Sequence, residues 1–129
     1  MGLMLAKTAP FFGVEQIIFI DPLPERREAA AKIEKVVKVF DSNSSELLND
    51  LNNYSDCKGF DLIFTACPEV STHQLAYQLV AVRGVVNLFG GVSKSAPDVA
   101  LNSNFIHYRE AYITGSHGST PRQHAMALD

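Results

Sequence analysis

The chain has 129 residues, 47% hydrophobic and 19% charged, with 8 glycines, 6 prolines and a formal net charge of -3. That length suits one domain with a sizeable core, and a pI near 5.7 argues against a dedicated nucleic-acid or anionic-membrane binder. No apolar run reaches a membrane span, the start MGLMLAKTAPFFG does not read as a signal peptide, and Cys57 and Cys67, lacking metal or redox spacing, read as free thiols of a reducing cytoplasm.

Residues 2 to 12 (GLMLAKTAPFF) are apolar on most faces and lack a conventional N-cap. They predict a buried helix, kinked or ended by Pro10 and stopped by Gly13. Its abrupt start implies that something precedes Gly2. Ile17, Ile18, Phe19 and Ile20 form a run that suits a parallel strand covered on both faces. Asp21 stands at the end of that strand. A carboxylate there points into the crevice where α/β sheets bind ligands, and it can accept both hydroxyls of an adenosine ribose. Arg26, in the first turn of the next helix, is placed to reach the same sugar. The plainer alternative is that Asp21 only starts the turn carrying Pro22 and Pro24.

A helix is expected over residues 24 to 35, with Pro24 near its first turn, Glu25 suiting the N-terminal dipole, and Ala29, Ala30, Ala31 and Ile33 facing a sheet. Residues 36 to 40 are a short β-branched run, a second strand. A helix over about residues 45 to 53 takes Ser44 or Ser45 as N-cap and Leu47, Leu48 and Leu51 as its apolar stripe. DLIFTA, residues 61 to 66, is a third strand that delivers Thr65, Ala66 and Cys67 to its end before Pro68 stops it.

A helix over about residues 71 to 82 carries Leu75, Leu79 and Val82 on one face, and Gly84 breaks it. VVNLF, residues 85 to 89, is a fourth strand. The following Gly90-Gly91 pair implies a close backbone approach or an unusual φ. Residues 93 to 104 read as a loop with at most a short helix, and residues 106 to 116 (IHYREAYITGS) as a longer β-prone stretch. Thr120 opens a last helix, with Pro121 at its first position, that is still running at Asp129. The alternation of strand and helix predicts βαβ units and a parallel sheet, an α/β fold. No repeat or dividing linker is visible.

Several stretches together resemble one family. Gly2-Leu3-Met4-Leu5-Ala6-Lys7 is similar to the end of a glycine-rich turn and the helix behind it. Asp21 and Arg26 are similar to a ribose-binding acid and its basic neighbour. Phe60-Asp61-Leu62-Ile63 and the segment from Arg83 to Gly91 resemble two later strands, the second ending near a nicotinamide. His107-Tyr108, Ile113-Thr114-Gly115-Ser116 and Gly118-Ser119-Thr120-Pro121 resemble the sorbitol and threonine dehydrogenase branch. The resemblance, over essentially the whole chain, is to the nucleotide-binding domain of the zinc-dependent medium-chain alcohol and polyol dehydrogenases.

That resemblance implies a Rossmann-like doubly wound parallel sheet, with departures. Of the G-x-G-x-x-G fingerprint only the last glycine, Gly2, is present, and the strand before it is missing. That strand is central in the family's sheet, so its loss implies two half-sheets with unpaired edges. No catalytic zinc domain is present. Residues 1 to 129 are therefore expected to be a single, N-terminally truncated NAD(P)-binding domain.

By resemblance, the cofactor-binding residues are Gly2 at the diphosphate, Asp21 and Arg26 at the ribose, Ala66 and Cys67 in the crevice, and Phe89, Gly90 and Gly91 near the nicotinamide. Asp21 favours NAD, because a carboxylate repels a 2′-phosphate, while Arg26 and Arg27 keep NADP as the alternative. Cys67 also reads as a buried, inert thiol, and residues 89 to 91 as a strand-ending turn. His73, His107, His117 and His124 have no zinc spacing.

The implied parent reaction is hydride transfer between NAD(P) and a secondary alcohol, with a zinc ion held by the other domain polarising the substrate oxygen. The stretch from Tyr108 to Ser116 resembles the edge strand through which that family's subunits pair, the alternative being the last strand of a monomer. Also open are a non-catalytic nucleotide-binding module, a dimerisation piece, and another Rossmann-like domain such as a methyltransferase, which would also place Asp21 on a ribose.

Overall fold

The structure, a computed structural model, describes residues 1–95 and 98–126. It comprises two compact units, Met1–Cys57 and Lys58–Asp129. The strands fall into two parallel sheets, one in each unit.

The first unit runs α1 (Gly2–Thr8), a 3-10 segment (Ala9–Phe12), β1 (Ile17–Asp21), α2 (Pro24–Ala30), β2 (Val36–Asp41) and α3 (Leu47–Tyr54). β1 and β2 pair in parallel, with Phe19 opposite Val39 and Asp21 opposite Asp41. Parallel neighbours need a crossover, and α2 supplies it. The core joins Ala6, Phe19 and Ala30 to Leu3, Ile17, Ile33, Val36 and Val39.

This unit corrects several expectations. The helix at residues 2 to 12 is not buried: only Ala6 is, whereas Phe11 and Phe12 are 86% and 82% exposed. A short helix ended by a left-handed Gly13 turns one narrow stripe inward and leaves the rest in water. β1 is not covered on both faces either, since Phe19 is buried but Ile20 is exposed. α2 ends at Ala30 rather than Lys35. A turn takes over, with Lys35 at φ 69, so Ala29 and Ala31 stay exposed and only Ala30 faces the sheet squarely. Glu46, not a serine, holds the N-cap position of α3, while Ser44 Oγ accepts from the Glu46 amide at 3.3 Å. Leu47 and Leu51 are buried, as the apolar stripe requires.

The second unit runs β3 (Phe60–Phe64), α4 (Val70–Leu79), β4 (Val80–Leu88), α5 (Ser103–Arg109), β5 (Tyr112–Gly115) and α6 (Pro121–Met126). Its strands lie in the order β3-β4-β5, all parallel. Ala76, Tyr77, Val80 and Val86 form the core, with Ile63, Leu88, Val99 and Ala111 against it.

α4 stops at Leu79, five residues before the expected glycine break. Val80 is drawn into the sheet opposite Phe60, and the register then jumps, so that Leu62 faces Val85. The looped-out segment holds Arg83 at φ 60 and exposes Val82. Gly84 serves this bulge instead of ending the helix: a Cβ there would lie 3.0 Å from the Phe60 carbonyl oxygen.

The stretch from residue 106 is not extended throughout, because residues 103 to 109 are helical. Asn102 caps α5, its side chain accepting from the Asn104 amide at 3.1 Å. Arg109 then donates to the carbonyls of Gln78 and Val80 at 2.7 and 2.8 Å, which ties the helix to the end of α4. Only Tyr112–Gly115 is strand. Thr120 and Gln123 exchange reciprocal side-chain bonds at the start of α6; the expected continuation to Asp129 lies outside the described residues.

Candidate functional site

In the first unit the carboxyl ends of β1 and β2 meet at two carboxylates, Asp21 and Asp41, opposite one another in the register. Asp21 Oδ1 accepts from the Leu23 amide at 2.9 Å, an Asx turn that aims the side chain along the strand end. Its Oδ2 lies 3.6 Å from Arg26 Nη1, and its side chain is 15% exposed against 55% for Arg26. Asp21 and Arg26 are thus brought together. The contact is long and solvated, a pairing of small energetic worth.

Arg27 is held more firmly. Its Nη1 donates to the carbonyls of Asp21 and Pro22, each at 2.8 Å, and its Nη2 lies 3.1 Å from Asp41 Oδ2. Asp41 Oδ1 in turn accepts from the Asn43 amide at 2.9 Å. Sequence reasoning missed Asp41, although an available signal marked it: it closes the second strand as Asp21 closes the first. A shallow depression of about 510 Å³ lies beside it, lined by Lys38, Phe40, Asp41, Ser44, Asp50 and Tyr54 among others. Gly2 is the first residue of α1 and is half-buried.

In the second unit the carboxyl ends of β3, β4 and β5 gather the other candidates. Ala66 and Cys67 lie just past β3, and both are half-buried. Cys67 Sγ donates to Thr72 Oγ1 at 3.1 Å. Phe89, Gly90 and Gly91 follow β4. The Gly90 amide donates to the Thr65 carbonyl at 2.6 Å, and the Gly90 carbonyl meets His73 Nε2 at 3.0 Å. Cys67 and Gly90 are therefore brought together by backbone, and the close approach read from the glycine pair belongs to Gly90. A Cβ on Gly91 would meet nothing within 4 Å.

Three further residues enter this cluster from outside the expected set. His73, 3% exposed, fastens α4 to the glycine turn. Asn87 donates to Thr114 Oγ1 and accepts from Ser116 Oγ, both at 3.0 Å, joining the ends of β4 and β5. Thr65 is fully buried, and its Oγ1 has no hydrogen-bond partner among the described residues. Such an orphan costs about 1–3 kcal/mol and calls for an explanation.

The groups that the resemblance implies fit this chain unequally. A dinucleotide's ribose would find, in the first unit, a half-buried carboxylate at a strand's carboxyl end, where open α/β sheets take their ligands. A zinc ion finds no place: among the described residues no three of His, Cys, Asp and Glu lie close enough to hold a metal. Among the described residues, no helix is long and apolar enough to cross a membrane.

The family model described as zinc-binding dehydrogenase matches residues 1–129. Among solved structures, the benzyl alcohol dehydrogenase of Acinetobacter calcoaceticus superposes with a TM-score of 0.86 at 16% identity, covering 98% of this chain and 35% of that one. An alcohol dehydrogenase of Thermotoga maritima gives 0.85 at 18% identity, over 98% and 35%. A protein of Sinorhizobium meliloti 1021, assigned as a zinc-binding dehydrogenase and bound to NADP, gives 0.79 at 18%, over 88% and 33%. These likenesses establish a Rossmann-like fold, and this chain spans about a third of each protein's length. No curated protein matches the sequence.

Proposed function

This chain belongs to the zinc-binding dehydrogenase family, and from that premise we propose that it is the cofactor-binding portion of a nicotinamide-dependent dehydrogenase acting on a secondary alcohol or polyol. The observation that carries the proposal is Asp21 at the carboxyl end of β1. One of its oxygens is fixed by the Leu23 amide and the other lies 3.6 Å from a solvated Arg26. A carboxylate so placed accepts the two hydroxyls of an adenosine ribose and disfavours a 2′-phosphate, which makes NAD the preferred dinucleotide and NADP the alternative. The NADP-bound relative supports a nicotinamide cofactor in general.

In this scheme the first unit contributes Gly2 toward the diphosphate and Asp21 and Arg26 toward the ribose, and the second unit, taken by itself, contributes Ala66, Cys67, Phe89, Gly90 and Gly91 toward the nicotinamide. The bound nicotinamide supplies the acceptor or donor of hydride. This chain's own residues bind and orient the cofactor, and residues beyond this chain supply the alcohol site. The chain alone is therefore expected to produce no alcohol-dependent NADH. The sorbitol and threonine dehydrogenase branch is the finer assignment, resting on the stretch from His107 to Pro121. The exposed edge strand β5, with Tyr112 61% exposed, supports a second role in pairing with another copy.

The test is a titration of the purified chain with NAD, NADP and S-adenosylmethionine while following its melting temperature. A ligand that binds only the folded state raises that temperature. A rise with NAD that Asp21→Ala abolishes is expected. A response to S-adenosylmethionine alone would favour a methyltransferase, and dimerisation without any ligand response would favour a structural piece.

A further inference from the structure

The two arginines that follow Asp21 are held in opposite ways. The Arg26 side chain is 55% exposed and lies 3.6 Å from Asp21. Arg27 is 19% exposed, bonded to two backbone carbonyls and paired with Asp41 at 3.1 Å. Because Asp41 stands opposite Asp21 in the register, the Arg27 guanidinium cross-links the last residue of β1 to the last residue of β2.

Resting on the dinucleotide reading above, we propose that the Arg27–Asp41 pair determines cofactor specificity: Asp41 occupies and neutralises the Arg27 guanidinium, withholding it from a 2′-phosphate and leaving the site selective for NAD. A guanidinium fork binds phosphate bidentately, as it does a carboxylate. The turn carries two such forks beside one ribose acid, a composition that leaves NADP open as the alternative. Asp41 changes that balance. Its carboxylate takes Nη2 and the carbonyls of Asp21 and Pro22 take Nη1, so Arg27 presents few free donors and little net charge. Arg26 spends its weak contact on Asp21 without cancelling that carboxylate, which still repels a phosphate. Arg27 is then a cation held away from the cofactor, and Asp41 is the residue that holds it there.

The experiment compares NAD and NADP affinities of the purified wild-type chain, Asp41→Asn, Arg27→Gln and the Asp41→Asn/Arg27→Gln double variant, with circular dichroism to establish folding. Asparagine retains the side-chain oxygen that accepts from the Asn43 amide and removes only the charge. The wild type is expected to prefer NAD. Asp41→Asn should move the affinity ratio toward NADP by about tenfold or more, the scale of one charge-assisted bond to phosphate, and the double variant should lose that shift.

Arg27→Gln alone should leave the ratio within about twofold of wild type, and it carries the test if Asp41→Asn does not fold. A loss of NADP binding in that variant would mean that Arg27 already touches the cofactor, and would overturn the proposal. An unchanged ratio in folded Asp41→Asn, or a shift that survives in the double variant, would overturn it while NAD binding by the wild type left the dinucleotide reading standing. Failure of the wild type to bind either dinucleotide would overturn both.

Discussion

A Cβ on Gly90 would stand 2.7 Å from the carbonyl oxygen of Cys67, so the turn after β4 and the turn after β3 touch backbone to backbone. The Gly90 amide and carbonyl are both engaged, by the Thr65 carbonyl and by His73. Glycine at this position is thus demanded by internal packing, whatever ligand the neighbourhood takes.

Gly90→Ala should lower stability by about 1–3 kcal/mol, the usual cost of overpacking. Gly91→Ala, whose Cβ meets nothing within 4 Å, should stay within about 0.5 kcal/mol of wild type. Urea unfolding of both variants checks this as a shift of midpoint at unchanged slope. Equal losses at the two positions would contradict the close approach.

The first unit invites a parallel comparison of burial. Leu51 on α3 is fully buried, whereas Phe12 is 82% exposed. Leu51→Ala should cost about 2–5 kcal/mol through lost transfer energy and the cavity left behind. Phe12→Ser, despite removing a larger apolar group, should change stability by no more than about 0.5 kcal/mol. The reverse order in thermal or urea unfolding would mean that residues 11 and 12 are covered in solution.

Tyr77 offers a pH test. Burial pushes its phenol above the ordinary value of 10.0, because a phenolate in the core gives up its water. The folded chain therefore holds this proton when the unfolded chain has begun to lose it. The resulting stability is fully present below the unfolded pKa and declines as pH rises toward the folded one. Tyr77→Phe removes this dependence, so the stability difference between variant and wild type should be constant up to about pH 9 and change above about pH 10. A difference independent of pH across that range would count against the shift.

Local chemistry alone carried much of the outline. The apolar run before Asp21, the Leu47 and Leu51 stripe, the Pro121 helix start and the strand from Val85 onward lie where the sequence placed them. Each depends on neighbours within a few positions, through side-chain periodicity, capping or proline geometry. The contact of Asp21 with Arg26 was legible for the same reason, since the two residues are joined by one turn and the start of one helix.

Contacts between residues remote in sequence decided the rest. Residues 103 to 109 could satisfy either a strand or a helix, and the Arg109 bonds to Gln78 and Val80 go with the helix. The apolar stripe of α4 ran on to Val82, yet Val80 finds more burial opposite Phe60 than another helical turn provides. The sequence singled out Arg26 beside the ribose acid and left Arg27 as a second basic residue; only the pairing of β1 with β2 brought Asp41 to Arg27. Residue order therefore settled most of the elements and which acid ends the first strand. The ends of those elements, and which charges are engaged there, follow from parallel pairing, because its partners are chosen by burial across the sheet and not by proximity along the chain.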